Sequence, residues 1–301
     1  MSLEAFYTLI RFIHFIAAIL MCGMSIFAAL LSCGQFSYLI SRYLNKGINF
    51  CAVVTIVTIV TVLGWMLAQA GLMGDGWEDA TDWDIWQGVL GTSFGQIWRW
   101  ELLFSMILLV VLFVKSIKIR LHLILILSII LLGLHALIGH AAMQDGLVGA
   151  LHRFNQFVHL ISSAYWFGGL WPFLICIQFL RNKRELVAGM DAQIIKTMKR
   201  FSRYGHVAVV LVVITGVISA ISILPQWPMA YSGSEYQSLL WFKIILVMGM
   251  MMLASINRYY IVPRIKQKGQ VNYLIINSWV ELLLGTMAIL AVAIFATYQP
   301  V

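Results

Sequence analysis

Long apolar runs alternate with short polar segments along the whole chain. About 20 apolar residues are needed for a helix to cross the hydrocarbon core of a bilayer. The runs lack strand-like alternation, and inside a membrane such a run can satisfy its own backbone hydrogen bonds only as a helix. The sequence therefore predicts an all-α, polytopic integral membrane protein with eight transmembrane helices, at residues 6–32, 49–73, 95–117, 120–142, 150–180, 203–224, 237–262 and 272–298.

The distribution of charge between the loops predicts the orientation of these helices. Most of the 20 Lys and Arg residues lie in the loops after the first, third, fifth and seventh predicted helices. The loops on the other side are acidic, and the longest of them, 74–94, is rich in Asp and Trp. Because basic loops stay in the cytoplasm, both termini are predicted to be periplasmic. The net charge of +8 therefore reflects membrane topology, and we expect membrane lipid but no nucleic acid as a partner.

The two halves of the chain share a sequence pattern. Residues 12–23, which contain His14, align with residues 157–168, which contain His159, at a constant offset of 145 residues. This pattern predicts a duplication of four plus four helices, with halves 1–142 and 143–301 related by a pseudo-twofold axis along the membrane normal. Chance similarity between apolar helices is the alternative explanation.

Histidine is costly inside a bilayer, and its usual role there is to bind or relay something. Four of the seven histidines lie around one short polar turn, and a fifth, His14, lies in the first helix. At a rise of 1.5 Å per residue, three of the five lie roughly 10–13 Å below the outer helix ends, and the other two lie near the surface. The five histidines are His14, His135, His140, His152 and His159.

These two depths predict two stacked metal sites. The inner site would consist of His14, His135 and His159, and the outer site of His140 and His152 with Met143. Imidazole combined with thioether ligands suits copper. Further along the first helix, Met21 and Met24 are candidate ligands for a secondary metal path. A hydrogen-bonded packing role is the alternative for each histidine taken singly.

Other buried groups leave further alternatives open. Histidines on facing helices can hold b-type haem, and the pairs His14 with His159, or His122 with His206, are candidate axial ligands. The thiols of Cys33, Cys51 and Cys176 lie near the inner helix ends, where they are either inert or a cuprous exit site. Structural ion pairs are expected between Glu281 and Arg258 and between Glu101 and Lys243. We find no nucleophile–base pair, phosphate loop or nucleotide motif, so we expect no enzymatic activity.

Short motifs follow one another in a fixed order between residues 139 and 300: Gly139-His140-Ala141, Val158-His159-Leu160, Trp166-Phe-Gly168-Gly169-Leu170, Arg200-Phe-Ser202, Thr215-Gly216, Lys243, Asn257-Arg258, Val262-Pro263-Arg264, Glu281-Leu-Leu-Leu-Gly285 and Pro300. By these motifs the chain resembles the copper resistance protein D family (CopD, also PcoD), over nearly its whole length and most strongly over 134–298. The resemblance implies a copper-handling protein of the bacterial inner membrane that works beside a separate periplasmic CopC-like protein. Related families look haem-binding, so haem b stays an alternative cofactor to copper.

Overall fold

The computed structural model describes residues 1–44, 50–139, 145–181, 189–223, 234–265, 267, 269–295 and 297–298, and these contain helices but no β-strand. Eight of the helices are long and apolar enough to cross a membrane, which confirms the predicted fold class. Two further α-helices are too short to cross a membrane. The helices are α1 Leu3–Leu31, α2 Gly34–Leu44, α3 Phe50–Met73, α4 Trp83–Gly91, α5 Ser93–Val111, α6 Ile117–His135, α7 Gly146–Arg181, α8 Met190–Ile223, α9 Glu235–Arg264 and α10 Gln270–Phe295.

The boundaries differ most from the prediction where polar residues continue a helix. Helix α8 begins at Met190 instead of 203, because its first turns are rich in Lys, Arg and Gln. Lys, Arg and Gln favour helix formation, but they are polar, so a window of apolar residues does not include them. Helix α6 ends at His135, and Gly139 has a φ of +83°, a conformation that a continuing helix does not permit.

The acidic outer loop is an ordered structure packed on α3 and α5. The side chain of Asp82 caps the start of α4 by accepting hydrogen bonds from the backbone of Asp84 and Ile85. The indole of Trp86 donates to the carbonyl oxygen of Ala80 at 2.8 Å. Several polar groups of this loop therefore form hydrogen bonds within the loop itself.

Helix α1 is central to the packing. In the first half, α1 and α5 both pack against α3 and α6, which closes a four-helix bundle. In the second half, α7 pairs with α8, and α9 pairs with α10. Helix α1 also crosses α7 and α10, so it joins the two halves.

The crossing of α1 and α7 depends on two glycines. A Cβ atom on Gly23 would lie 2.1 Å from the carbonyl oxygen of Ala164 and 2.6 Å from the Cα of Gly168. A Cβ atom on Gly168 would in turn lie 2.9 Å from the Cα of Gly23. The offset of 145 residues relates these same two glycines. The repeat, its division into halves and the predicted orientation stay predictions.

Candidate metal centre

The side chains of His14, Glu101 and His135 meet inside the first four-helix bundle. They come from α1, α5 and α6, and each is buried. One ligand atom from each residue lies within 4.8 Å of the other two. His14 lies on the face of α1 that also buries Arg11, Ala17 and other residues at helical spacing, so the packing of α1 directs it into the bundle.

The imidazole of His14 is held from both sides. Its Nδ1 lies 2.8 Å from the hydroxyl oxygen of Thr61 on α3, and its Nε2 lies 2.9 Å from Oε1 of Glu101. The Thr61 hydroxyl donates its proton to the carbonyl oxygen of Val57 at 2.7 Å, so it can accept a hydrogen bond from Nδ1–H of His14. A partner on the second ring nitrogen fixes the tautomer and orientation of metal-binding histidines. Thr61 gives His14 such a partner.

The two ring nitrogens of His135 have different surroundings. Nδ1 lies 2.7 Å from the carbonyl oxygen of Leu131, which can only accept, so Nδ1 carries the proton. Nε2 then presents a lone pair when the ring is neutral. This buried atom has no hydrogen-bond partner in the described part of the chain, although Oε1 of Glu101 is 3.4 Å away. His135 is therefore oriented as a ligand towards Glu101 and His14.

Aromatic side chains enclose the centre. The rings of His14 and His135 stack with centroids 4.9 Å apart, and Trp65 and Phe15 pack against them. The buried guanidinium of Arg11, one helical turn before His14, lies within 6 Å of the centroids of three aromatic rings, those of Tyr7, Phe15 and Trp65. Such a dry enclosure strengthens electrostatic interactions with any ion that binds there.

Two imidazoles and a carboxylate form a donor set that suits copper, zinc, iron or nickel. Metal–ligand bonds are about 2.0–2.2 Å long for nitrogen and oxygen donors of this kind. Ligand atoms spread over 4.8 Å would therefore have to move closer together around an ion. The unpartnered Nε2 of His135 fits this role, because ligation would satisfy an atom that is otherwise buried without a partner.

His159 lies elsewhere, so the predicted inner triad is only partly assembled. Its Nδ1 lies 2.8 Å from the hydroxyl of Thr215 on α8. Asn155, one turn earlier on α7, donates to the carbonyl oxygen of Thr215 and to the hydroxyl of Ser219. The structure thus brings together His14 and His135 but gives them Glu101 in place of His159.

The remaining predicted ligands lie apart from this centre. His140 and Met143 of the predicted outer site are outside the described residues, and His152 is half-buried near the start of α7. Met21 and Met24 are buried further along α1, past His14.

The predicted haem pairs are not assembled. No contact joins His14 to His159 among the described residues, where His14 contacts Thr61 and Glu101 and His159 contacts Thr215. His122 is exposed and contacts the carbonyl oxygen of Lys118. His206 contacts Tyr259 at 3.1 Å instead of His122. The haem alternative is therefore not favoured.

Neither predicted ion pair forms. Glu281 accepts a hydrogen bond of 2.7 Å from the amide of Asn257, while Arg258 donates to the carbonyl oxygen of Ser202 at 2.6 Å. Glu281 is therefore paired with an amide group and Arg258 with a carbonyl oxygen, and the two residues do not pair with each other.

Glu101 likewise contacts histidines instead of Lys243. The ammonium of Lys243 lies 5.8 Å from the ring centroid of Phe295. The position of Glu101 beside the histidines was missed because its apparent alignment with Lys243 suggested an ion pair between these two residues. A signal was available in its depth, about 12 Å from the outer end of α5, which is the level of His14.

The fold and this site define a class: a multi-pass helical membrane protein with a buried histidine–carboxylate centre. A family model described as "Copper resistance protein D-like, N-terminal domain" matches residues 2–150, and one described as "Copper resistance protein D" matches residues 195–295. The chain belongs to the copper resistance protein D family, as its motifs predicted.

Two relatives support this assignment. The chain is 32% identical over 295 residues to the inner membrane protein YebZ of Escherichia coli (strain K12), covering 97% of each chain. It is 33% identical over 125 residues to copper resistance protein D of Pseudomonas syringae pv. tomato, covering 42% of this chain and 39% of that one. No solved structure matches. The first relative and the eight apolar helices confirm the predicted localisation, a multi-pass protein of the bacterial inner membrane.

Proposed function

We propose that the protein binds copper at His14, Glu101 and His135 and passes it from the periplasmic side into or across the membrane. The observation that carries the proposal is the buried Nε2 of His135, which has no hydrogen-bond partner among the described residues and lies 3.4 Å from Glu101. Imidazole is a donor that suits copper among the transition metals. Membership of a copper resistance family supports copper as the ion that is bound.

The carboxylate of Glu101 has a specific part in this proposal. An ion that leaves water for a buried site loses much of its hydration free energy, and a buried charge therefore needs a compensating charge. Glu101 is 1% exposed and contacts both histidines, so it supplies a negative charge at the centre itself. The imidazoles complete the ligand set without adding charge when they are neutral.

The other predicted ligands extend the proposed path. His140, His152 and Met143 would receive copper near the outer surface, and Met21 and Met24 would lie below the centre. A separate periplasmic CopC-like protein is the proposed donor. Copper is the cargo in this scheme, and the chain carries out no catalytic step, so it is not an enzyme.

The proposal is tested by copper flux into liposomes that contain the purified protein and an internal copper-sensitive dye. We expect the wild-type protein to admit copper and His135→Ala to reduce the initial rate at least about tenfold, since a ligand oriented by Leu131 is lost. His122→Ala is the matched control, because His122 lies on the same helix but is exposed and contacts only its own helix in the described contacts. Equal flux in wild type and His135→Ala would refute the proposed route.

A further inference from the structure

A small cavity lies between α1, α2, α3 and α6, near the first residues of α3. Its volume is about 10 Å³, which is the space of a single water molecule or ion. Three sulfur-bearing side chains line it: the thioethers of Met21 and Met24 and the thiol of Cys51. All three side chains are buried.

The cavity lies below the metal centre in the same bundle. Met21 and Met24 follow His14 by seven and ten residues on α1, which corresponds to about 10 and 15 Å along the helix. On α3, Cys51 precedes Thr61 by ten residues, again about 15 Å. Because α1 and α3 are in contact where His14 meets Thr61, the two helices give similar distances from the centre to the cavity, about 10–15 Å.

Buried hydroxyl groups lie at levels between the centre and the cavity. Thr55 and Thr58 lie on α3 between Cys51 and Thr61, spaced so that all four share one face of the helix. Ser105 follows Glu101 by one turn on α5, and its buried hydroxyl oxygen has no hydrogen-bond partner within the described ranges. The interior between the centre and the cavity is therefore lined in part by polar groups.

Water is a poor occupant of the cavity. A buried water normally needs two to four polar partners. The hydroxyl of Ser25 also lines the cavity, but it already donates to the carbonyl oxygen of Cys22 at 2.9 Å and lies 3.2 Å from the hydroxyl of Ser128. The other lining side chains offer only carbon or sulfur.

Thioether and thiolate ligands select cuprous ion. We propose that Met21, Met24 and Cys51 form a cuprous-ion site at this cavity, below the His14, Glu101 and His135 centre. The inference deepens the proposed function, on which it rests, by giving copper a second binding site nearer the inner ends of the helices. Binding replaces the thiol proton of Cys51 with Cu(I), so one proton is released and no oxidation state changes.

The test is X-ray absorption of the full-length protein in detergent, loaded anaerobically with Cu(I), together with the copper content after competition with a cuprous chelator. The wild-type protein should show both copper–sulfur and copper–nitrogen/oxygen scattering. The variant Met21→Leu/Met24→Leu/Cys51→Ser should lose the sulfur component and keep the other. The variant His14→Ala/His135→Ala should show the reverse.

A control variant separates this site from a general effect of losing buried sulfur. Met66 on α3 and Cys176 on α7 are fully buried and lie outside the cavity lining. Met66→Leu/Cys176→Ser should match the wild type. Cys51→Ser alone, which changes one atom, should lower the cuprous affinity of the sulfur site at least tenfold, so the test does not depend on the stability of the triple variant.

Three results would overturn the cuprous site. The first is sulfur scattering that persists in the triple variant, and the second is a cuprous affinity unchanged by Cys51→Ser. The third is wild-type protein that shows nitrogen and oxygen scattering but no sulfur scattering, which would make the cavity a packing defect only. Sulfur scattering without the nitrogen and oxygen component would instead count against the centre at His14 and leave the sulfur site standing.

Discussion

Thr61 and Leu131 decide which ring nitrogens of the two histidines are free to bind an ion. The Thr61 hydroxyl occupies Nδ1 of His14, and the Leu131 carbonyl occupies Nδ1 of His135. In both rings Nε2 therefore faces Glu101. Outer-shell partners of this kind typically contribute about 10–100-fold to metal affinity.

Replacing Thr61 with valine should consequently weaken copper binding. Valine has a similar volume but cannot accept a hydrogen bond from Nδ1, so the tautomer and orientation of His14 are no longer fixed. We expect Thr61→Val to raise the equilibrium Kd for copper by about 10–100-fold, measured by competition with a chelator of known affinity.

Thr215→Val is the matched control for that measurement. Thr215 makes the same contact with a histidine in the other half of the chain, at 2.8 Å from Nδ1 of His159. Because His159 is not part of the centre, Thr215→Val should leave copper affinity unchanged. A similar loss in both variants would mean that the effect does not arise at His14.

Part of the site could be predicted from the depth of single residues along their helices. Depth along a helix follows from residue count, and it correctly indicated that His14 and His135 share a level. Depth does not determine which helices are neighbours, so His159, at the same predicted level, could not be distinguished from a true member of the cluster. Glu101 was assigned to Lys243 on an apparent repeat, whereas the packing of α5 against α3 and α6 directs it to the histidines.

Among the elements, α1 joins the two halves because two glycines allow its backbone to approach that of α7. The gap at Gly23 leaves no room for a methyl group, since its Cβ atom would meet the backbone of Ala164. Backbone atoms cannot rotate away as a side chain can. Close approach through small residues is a common basis of helix association in membranes.

We therefore expect Gly23→Ala to destabilise the protein. Overpacking of a tight core costs about 1–3 kcal/mol, which should lower the midpoint of thermal unfolding in detergent. Gly205→Ala is the control, because nothing lies within 4 Å of the added methyl group and alanine favours a helix by about 1 kcal/mol. If Gly23→Ala were as stable as Gly205→Ala, the crossing would not depend on glycine.

Hydropathy alone predicted the eight spanning helices, because the bilayer imposes both their length and their composition. It could not predict α2 and α4, which are too short to give a 20-residue apolar window. Nor could it predict that α8 begins at Met190, since polar residues can extend a helix beyond the apolar region. Pairing between helices depends on side-chain shape, which a hydropathy profile does not record.

In the whole molecule, the two halves differ in charge at the level of the histidines. Each half has a histidine whose Nδ1 contacts a threonine on the next spanning helix, at 2.8 Å in both cases. In the first half the carboxylate of Glu101 also contacts the histidine, whereas no carboxylate contacts His159 among the described residues. In the part of the chain that the structure describes, the one cluster of at least three His, Cys, Asp or Glu side chains that could hold a metal ion lies in the first half.

The direction of the proposed path depends on the orientation of the whole chain, which labelling can determine. In a Cys33→Ser background, we expect Asp84→Cys in the outer loop to react with a membrane-impermeant maleimide in spheroplasts. Arg42→Cys on α2 should react only after lysis. Both positions are exposed, and the other native cysteines are buried. The reverse pattern would contradict periplasmic termini.

Equilibrium copper binding by Glu101→Gln tests the metal centre most directly. Glutamine keeps the size of the side chain but removes the negative charge, so copper affinity should fall at least about tenfold, or about 1.4 kcal/mol. Glu281→Gln changes another buried carboxyl group, one that contacts Asn257 and lies outside the centre, and it should bind copper like the wild type. Unchanged affinity in Glu101→Gln, or an equal loss in both variants, would contradict copper binding at His14, Glu101 and His135.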